Sequence, residues 1–239
     1  NNQPLEAVRS GEIPAVIVRN AMPEDHCSAL VQRFYETGLI YTPPTRADSR
    51  FDRVDIGTAL GRYADDPDHF FAHSQDPHDL YNTLFDGYQN PVETLFDSLA
   101  ELLPDKQVLT AREPDGRTYG PSIFRIYYEG VGHYPHYDSV SKRSKRHEYA
   151  VARFDHQYAG VLCFQNSEDH VESAQSILYR SPMSPEIQPH LDAKTFREFA
   201  DANDIERVQI RLNPGDLYYF YSETVHEVPM VEGGTPRIV

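Results

Sequence analysis

The stretch Phe124-Arg-Ile-Tyr-Tyr-Glu-Gly-Val-Gly-His-Tyr-Pro-His-Tyr-Asp138 decides how this chain is read. Its first half is a run of β-formers, and it leads into His136-x-Asp138. Residues two apart on a strand point to the same face, so the spacing predicts an imidazole and a carboxylate projecting side by side. Alone, His-x-Asp is a common coincidence in soluble proteins, and its meaning depends on what lies elsewhere.

The far end of the chain supplies the missing groups. Asn213-Pro-Gly-Asp-Leu-Tyr-Tyr-Phe-Tyr-Ser-Glu-Thr-Val-His226 reads as a turn, a strand and a histidine opening a further strand. Arg237 follows eleven positions later, in Gly233-Gly-Thr-Pro-Arg-Ile-Val. Two histidines and one carboxylate on one side of a metal leave open positions, the ligand set of a non-haem Fe(II) oxygenase. An arginine beyond them suits an acidic cosubstrate, held by a two-point fork. Its plainer alternative is a salt bridge at a strand edge.

Composition bounds the answer. A chain of 239 residues suits one domain with a sizeable core. A formal charge of −15 argues against nonspecific attraction to nucleic acid or to an anionic membrane. No apolar run approaches the roughly 20 residues that cross a bilayer. Cys27 and Cys163 form no C-x-x-C pair, so buried free thiols in a reducing compartment are expected. With no legible signal peptide, that compartment is cytoplasmic. The chain begins at Asn1 and stops inside a strand candidate, which leaves room for residues beyond either end.

Along the chain, Glu12–Arg19 reads as a strand, and Pro23 opens a helix carrying Cys27, Leu30, Val31 and Phe34 at helical spacing. Tyr41 to Ala72 reads as irregular, a long loop with short elements. Asp79 to Leu103 is helical, broken or restarted at Pro91, and buttresses a sheet. From Ser122 the pattern is of strands: Ile123–Glu129, Gly160–Gln165, Ser176–Tyr179, Val208–Leu212, Asp216–Tyr221, Val225–Met230 and Pro236–Val239, with a short helix at Thr195–Asn203. Many short strands with polar connections predict a sandwich or jelly roll with helices on one side.

In this order, His136-x-Asp138, His226 and Arg237 resemble the 2-oxoglutarate/Fe(II)-dependent dioxygenase superfamily, over residues 119–239. The resemblance implies a mainly β fold with flanking helices, a double-stranded β-helix (jelly roll). Residues 1–118 would be an N-terminal strand and helical buttress of the same domain. Residues 119–239 would be the catalytic core, with an insertion between about 139 and 207. It implies His136, Asp138 and His226 as iron ligands, Arg237 as cosubstrate anchor, and Fe(II), 2-oxoglutarate and dioxygen as the reacting set. Succinate and carbon dioxide would form while hydrogen is removed from an unactivated C–H bond. Tyr127, with Gly130 after it, resembles the Tyr-x-x-Gly spacing of prolyl-hydroxylase-like members, where the tyrosine hydroxyl helps to bind 2-oxoglutarate; otherwise Tyr127 is a core residue. His133 stands where the family has a second tyrosine, and either faces the pocket or is a solvated loop histidine.

The layout from Tyr119 through Arg125 and Gly130 to His136 also looks like the carrier-independent halogenases of small molecules. In chlorinating members a small residue replaces the carboxylate and halide takes its place. Asp138 is retained here, so hydroxylation or another halide-free oxidation is expected. Two departures stand beside this: Glu172-Ser-Ala-Gln175 replaces a frequent Gly-Gly pair, and Asp138 and His226 are 88 residues apart.

Ser141-Lys-Arg-Ser-Lys-Arg-His147, followed by Arg153, is a basic island in an acidic chain. It reads either as a solvated loop or as a mouth attracting an anionic substrate. His69, His73 and His78 include an i,i+4 pair but lack a closing ligand pattern, so no second metal site is expected. The expected partner is a free small molecule, neutral or anionic, in specialised metabolism. The rivals are a hydroxylase of peptide side chains and a non-catalytic jelly-roll binding protein.

Overall fold

The computed structural model describes residues 4–40, 53–63, 65–167 and 173–239. In chain order the elements are α1 (Pro4–Arg9), β1 (Val16–Val18), α2 (Glu24–Glu36), β2 (Val54–Gly57), α3 (Leu60–Tyr63), α4 (Pro67–His73), α5 (Asp76–Leu84) and α6 (Pro91–Leu102). Then come β3 (Ile123–Tyr127), β4 (His133–His136), a 3-10 turn at Ala150–Arg153, β5 (Tyr158–Leu162), β6 (Ile177–Pro182), α7 (Gln188–Asp192), α8 (Phe196–Ala202), β7 (Arg207–Gln209), β8 (Leu217–Tyr221), β9 (Thr224–Val228) and β10 (Arg237–Ile238).

Two layers of antiparallel strands face each other. One layer carries β1-β8-β5 and β10-β3-β2, joined where Gln165 bridges Ile238; the other is β4-β9-β6-β7. Alternation along β8 shows how the sequence builds both faces. Leu217 and Tyr219 join the core under the helices, while Tyr218 and Phe220 join Cys163, Leu178, Ile210 and Leu212 between the layers. With both faces covered, β8 is buried from Leu217 to Phe220. This is the jelly roll expected from the strand pattern.

The helical buttress is α2, α5 and α6. In α2, Cys27, Leu30, Val31 and Phe34 are the buried stripe. Phe34 is wholly buried with its ring 4.9 Å from that of Phe124 on β3, and its truncation to Ala would cost about 3–5 kcal/mol. The expected helix over Asp79–Leu103 is two helices. Asn90 caps the second with its side-chain oxygen, and Pro91 occupies the first turn, where a missing N–H costs nothing. On the opposite flank α7 and α8 cover the second layer through Ile187, Phe196 and Ala200.

Two readings need correction. The span expected to be irregular with short elements holds the short β2, α3 and α4, while its part at 41–52 lies outside the described residues, as does Glu172. Only Val16–Val18 of the first strand pairs, antiparallel to β8. His136 and Asp138 do not share a strand: β4 ends at His136, after a register shift between His133 and His136, and Asp138 follows in the loop. Among the described residues, no helix is long and apolar enough to cross a membrane.

Candidate metal and cosubstrate site

β4 and β9 pair antiparallel with His136 directly opposite His226, so both imidazoles leave the same face, their centroids 4.3 Å apart. The Nδ1 of His136 lies 2.7 Å from the Tyr134 carbonyl oxygen, and the Nδ1 of His226 lies 2.9 Å from that of Thr224. A carbonyl only accepts, so each ring donates from Nδ1 and leaves its Nε2 lone pair free. Both Nε2 atoms sit 3.7 Å from Asp138 Oδ2. The three ligand atoms all lie within 4.8 Å of one another. Among the described residues this is the one such group of three metal-binding side chains. His73 instead bonds Thr58, and His78 bonds the Tyr119 carbonyl.

Asp138 reaches this face from the loop because its backbone is pinned. Its N–H donates to the Ser222 carbonyl at 2.7 Å, and the Ser222 hydroxyl donates to its carbonyl at 3.1 Å. Its second oxygen, Oδ1, accepts from Arg143 Nη1 at 2.9 Å. Burial pushes the Asp138 carboxyl up, but the neighbouring imidazoles and the Arg143 guanidinium prevail and hold it well below the usual carboxylate range. His136 is pushed well below its ordinary value by burial and then by His226. Two neutral imidazole nitrogens and one ionised carboxylate, converging from one side, are a donor set that fits Fe(II).

A second polar centre lies on the inner face of β3 and β10. Arg237 pairs with Tyr127 across these strands, while their neighbours Ile238 and Ile126 face the helical core. Arg237 is 2% exposed. Its Nη1 donates to Asn166 Oδ1 at 2.6 Å, an oxygen that also accepts from Gln175 Nε2 at 3.0 Å. Asn166 is oriented in turn by its own donation to the Leu212 carbonyl at 2.7 Å. Among the described residues no carboxylate pairs with Arg237, so the salt-bridge reading finds no support there. Tyr127 is buried, with the Arg53 guanidinium 5.8 Å from its ring centroid.

His133 lies against the triad, its ring centroid 3.6 Å from that of His136. Burial, followed by the Arg53 charge, pushes it down to about 4. Arg153 is different: it is exposed, with its guanidinium over Phe154 at 5.2 Å, and shares no described contact with the triad. The basic island is an exposed loop in which three of the cations are tied down. Lys142 pairs with Glu223, a buried carboxylate that also accepts from Ser139 at 2.9 Å and Tyr221 at 2.6 Å. Arg143 holds Asp138 and the Tyr137 carbonyl, and Arg146 pairs with Asp65.

Sequence reasoning missed Arg143, Ser222, Asn166 and Gln175. Arg143 carried a signal, a cation five residues after a carboxylate ligand. The amides carried none, since their partners come from distant strands.

Comparison with known proteins follows the same lines. The family model described as "Carrier-protein-independent halogenase WelO5" matches residues 1–239. No curated protein matches the chain. Among solved structures, a novel N-substituted L-amino acid dioxygenase from Burkholderia ambifaria AMMD is similar with a TM-score of 0.61 at 16% identity, over 99% of this chain and 84% of that one. Its complex with alpha-ketoglutarate gives 0.58 at 17% identity, over the same 99% and 84%. HygX from Streptomyces hygroscopicus, with nickel and 2-oxoglutarate bound, gives 0.51 at 9% identity, over 98% of this chain and 83% of that one.

Proposed function

We propose, for a chain that belongs to the carrier-protein-independent halogenase WelO5 family and is thereby a 2-oxoglutarate-dependent non-haem iron dioxygenase, that it oxidises an unactivated C–H bond of a free small molecule. Hydroxylation is the leading outcome, in specialised metabolism. In this reading His136, Asp138 and His226 hold Fe(II), and Arg237, with Tyr127 beside it, anchors 2-oxoglutarate. When bound, iron and 2-oxoglutarate supply dioxygen activation coupled to formation of succinate and carbon dioxide.

The observation that carries the reading is the presence of two complementary polar centres on the inner faces of the sheets. Three side chains able to bind a metal converge at one, and at the other a buried guanidinium pairs with no carboxylate among the described residues. A buried charge facing only neutral groups is expensive, and a dicarboxylate relieves that cost. The protein's part is to orient. The Tyr134 and Thr224 carbonyls fix both imidazole tautomers, and Arg143 holds the outer oxygen of Asp138 so that the inner one faces the histidines.

The family takes its description from halogenation, and Asp138 argues for the halide-free branch of that chemistry. Its carboxylate fills the position that a halide needs, and Arg143 and Ser222 secure it there.

The test is an anaerobic titration of metal-free protein with Fe(II) and then 2-oxoglutarate, followed by the weak visible band of the chelate. The band is expected in wild type and lost in His226→Ala and Arg237→Ala. Folded wild type without a band sinks the proposal.

A further inference from the structure

Arg125 is not used by the function above. It lies on β3 two residues before Tyr127, and its neighbours Phe124 and Ile126 belong to the helical core, so alternation turns Arg125 to the inner face. It borders the same cavity as Asp138, a space of about 470 Å³ that is also lined by Val92, Leu95 and Leu99 of α6 and by Leu162 of β5. Other inner-face residues of that wall, Ile123, Val161 and Val239, are apolar. The residue directly across the strand pair is Asp55, which gives both carboxylate oxygens to Arg53 at 2.7 and 3.0 Å. Among the described residues the Arg125 guanidinium has no hydrogen bond and no ion pair.

An arginine confined to a concave inner face serves folding poorly when it holds nothing. Its charge is partly taken out of water, and among the described residues no hydrogen bond or ion pair compensates. The same fork is well suited to a planar carboxylate, which it binds at two points. Lys142, Arg143 and Arg146 of the basic island are already paired with Glu223, Asp138 and Asp65. Arg237 is the cosubstrate's in the reading above, on which this inference rests.

We propose that Arg125 anchors a carboxylate of the substrate, which is therefore a small molecule with one anionic end and an apolar body. Anchoring one end beside Asp138 fixes which carbon is presented to the metal, so Arg125 determines both specificity and position of oxidation.

The experiment adds hydrophobic-bodied acids (4-phenylbutyrate, indole-3-acetate, N-acetyl-leucine) and their methyl esters to the anaerobic Fe(II)/2-oxoglutarate complex, following perturbation of the visible band. Wild type, Arg125→Gln, Arg125→Lys and Arg237→Gln are compared, with circular dichroism to establish folding. At least one acid is expected to perturb the wild-type band, and its ester to need at least about tenfold more. Arg125→Gln should erase that preference while leaving the 2-oxoglutarate affinity within about twofold, and Arg125→Lys should restore part of it. Three results overturn the inference: acids no better than esters, no response to any acid up to about 10 mM, or Arg125→Gln weakening 2-oxoglutarate as much as Arg237→Gln does. A wild-type band that never forms, before any acid is added, is the separate failure of the proposed function.

Discussion

The two polar centres of the barrel are built on opposite principles. At the proposed iron end every group is preorganised: backbone carbonyls orient both imidazoles, and Arg143 and Ser222 hold Asp138. At the proposed cosubstrate end the buried Arg237 charge is hydrogen-bonded to the neutral amide of Asn166 and, among the described residues, paired with no carboxylate. The first is a finished set of donors, and the second is, among the described residues, an incompletely paired positive charge. Mutations at the two ends should therefore differ in kind as well as in size.

The largest effect is expected at the finished end. His226→Ala removes one of two imidazoles, and metal affinity should fall by more than the roughly 100-fold upper range for losing an outer partner. Succinate release should drop to background. Isothermal titration with Mn(II) measures the first and product assay the second. Retained metal binding would break the comparison, because the site would then lie elsewhere.

At the incomplete end the expected signature is a split. Arg237→Gln should weaken 2-oxoglutarate by about 100-fold, the order of two charge-assisted hydrogen bonds. The ligand-free protein should be no less stable, because replacing a buried unpaired charge by a neutral group is often neutral or favourable. Thermal melts with and without 2-oxoglutarate read both terms. A loss of several kcal/mol in the ligand-free variant would make Arg237 a structural strut.

A smaller effect separates the clamp from the ligand. Arg143→Gln leaves all three donors but frees Asp138 Oδ1, so metal affinity should fall by about 10-fold. Lys142→Gln, on the half-exposed side of the Glu223 pair, should change stability by about 1 kcal/mol or less.

The histidines give the finished end a pH dependence with a definite sign. His133 is lowered to about 4 from an ordinary 6.5, and His136 is lowered too. Between those values the unfolded chain binds protons that the folded one refuses, so stability falls as pH falls. Asp138 does not offset this. Its depressed carboxyl stays ionised throughout that window, and its contribution is lost only below the ordinary carboxylate range. Melts of metal-free protein from pH 7 to pH 4 should therefore show a decline that is shallower in His133→Asn.

How much of this was legible in the sequence depended on how local the cause was. The α2 stripe, the strand alternation and the pairs His136/Asp138 and His226/Arg237 are written in short-range spacing, while the resemblance to a family joined the two pairs across 88 residues. Asp138 was assigned to the right group for an incomplete reason, since the loop pinned by Ser222, not a shared strand, brings it to His136. The Asn166–Gln175–Arg237 contacts depend on how β10 meets the chain after β5, which no local pattern encodes. The basic island reads in sequence as a field of like charge, whereas in space Lys142, Arg143 and Arg146 each meet a carboxylate and Arg153 stacks on Phe154.

Arg153 provides the smallest expected effect and the sharpest check on that last point. It lies ten residues beyond Arg143 and carries the same charge, yet it is exposed and stacks on Phe154. An exposed cation–π contact is worth about 0.5–1 kcal/mol, and a charge screened by salt at the surface steers a ligand only weakly. Arg153→Ser should therefore leave metal affinity, the chelate band and the acid preference unchanged, with a small loss of stability. If it instead weakens binding of acids while Arg125→Gln does not, the anion is recognised at the rim, and the inner-face arginine loses its role.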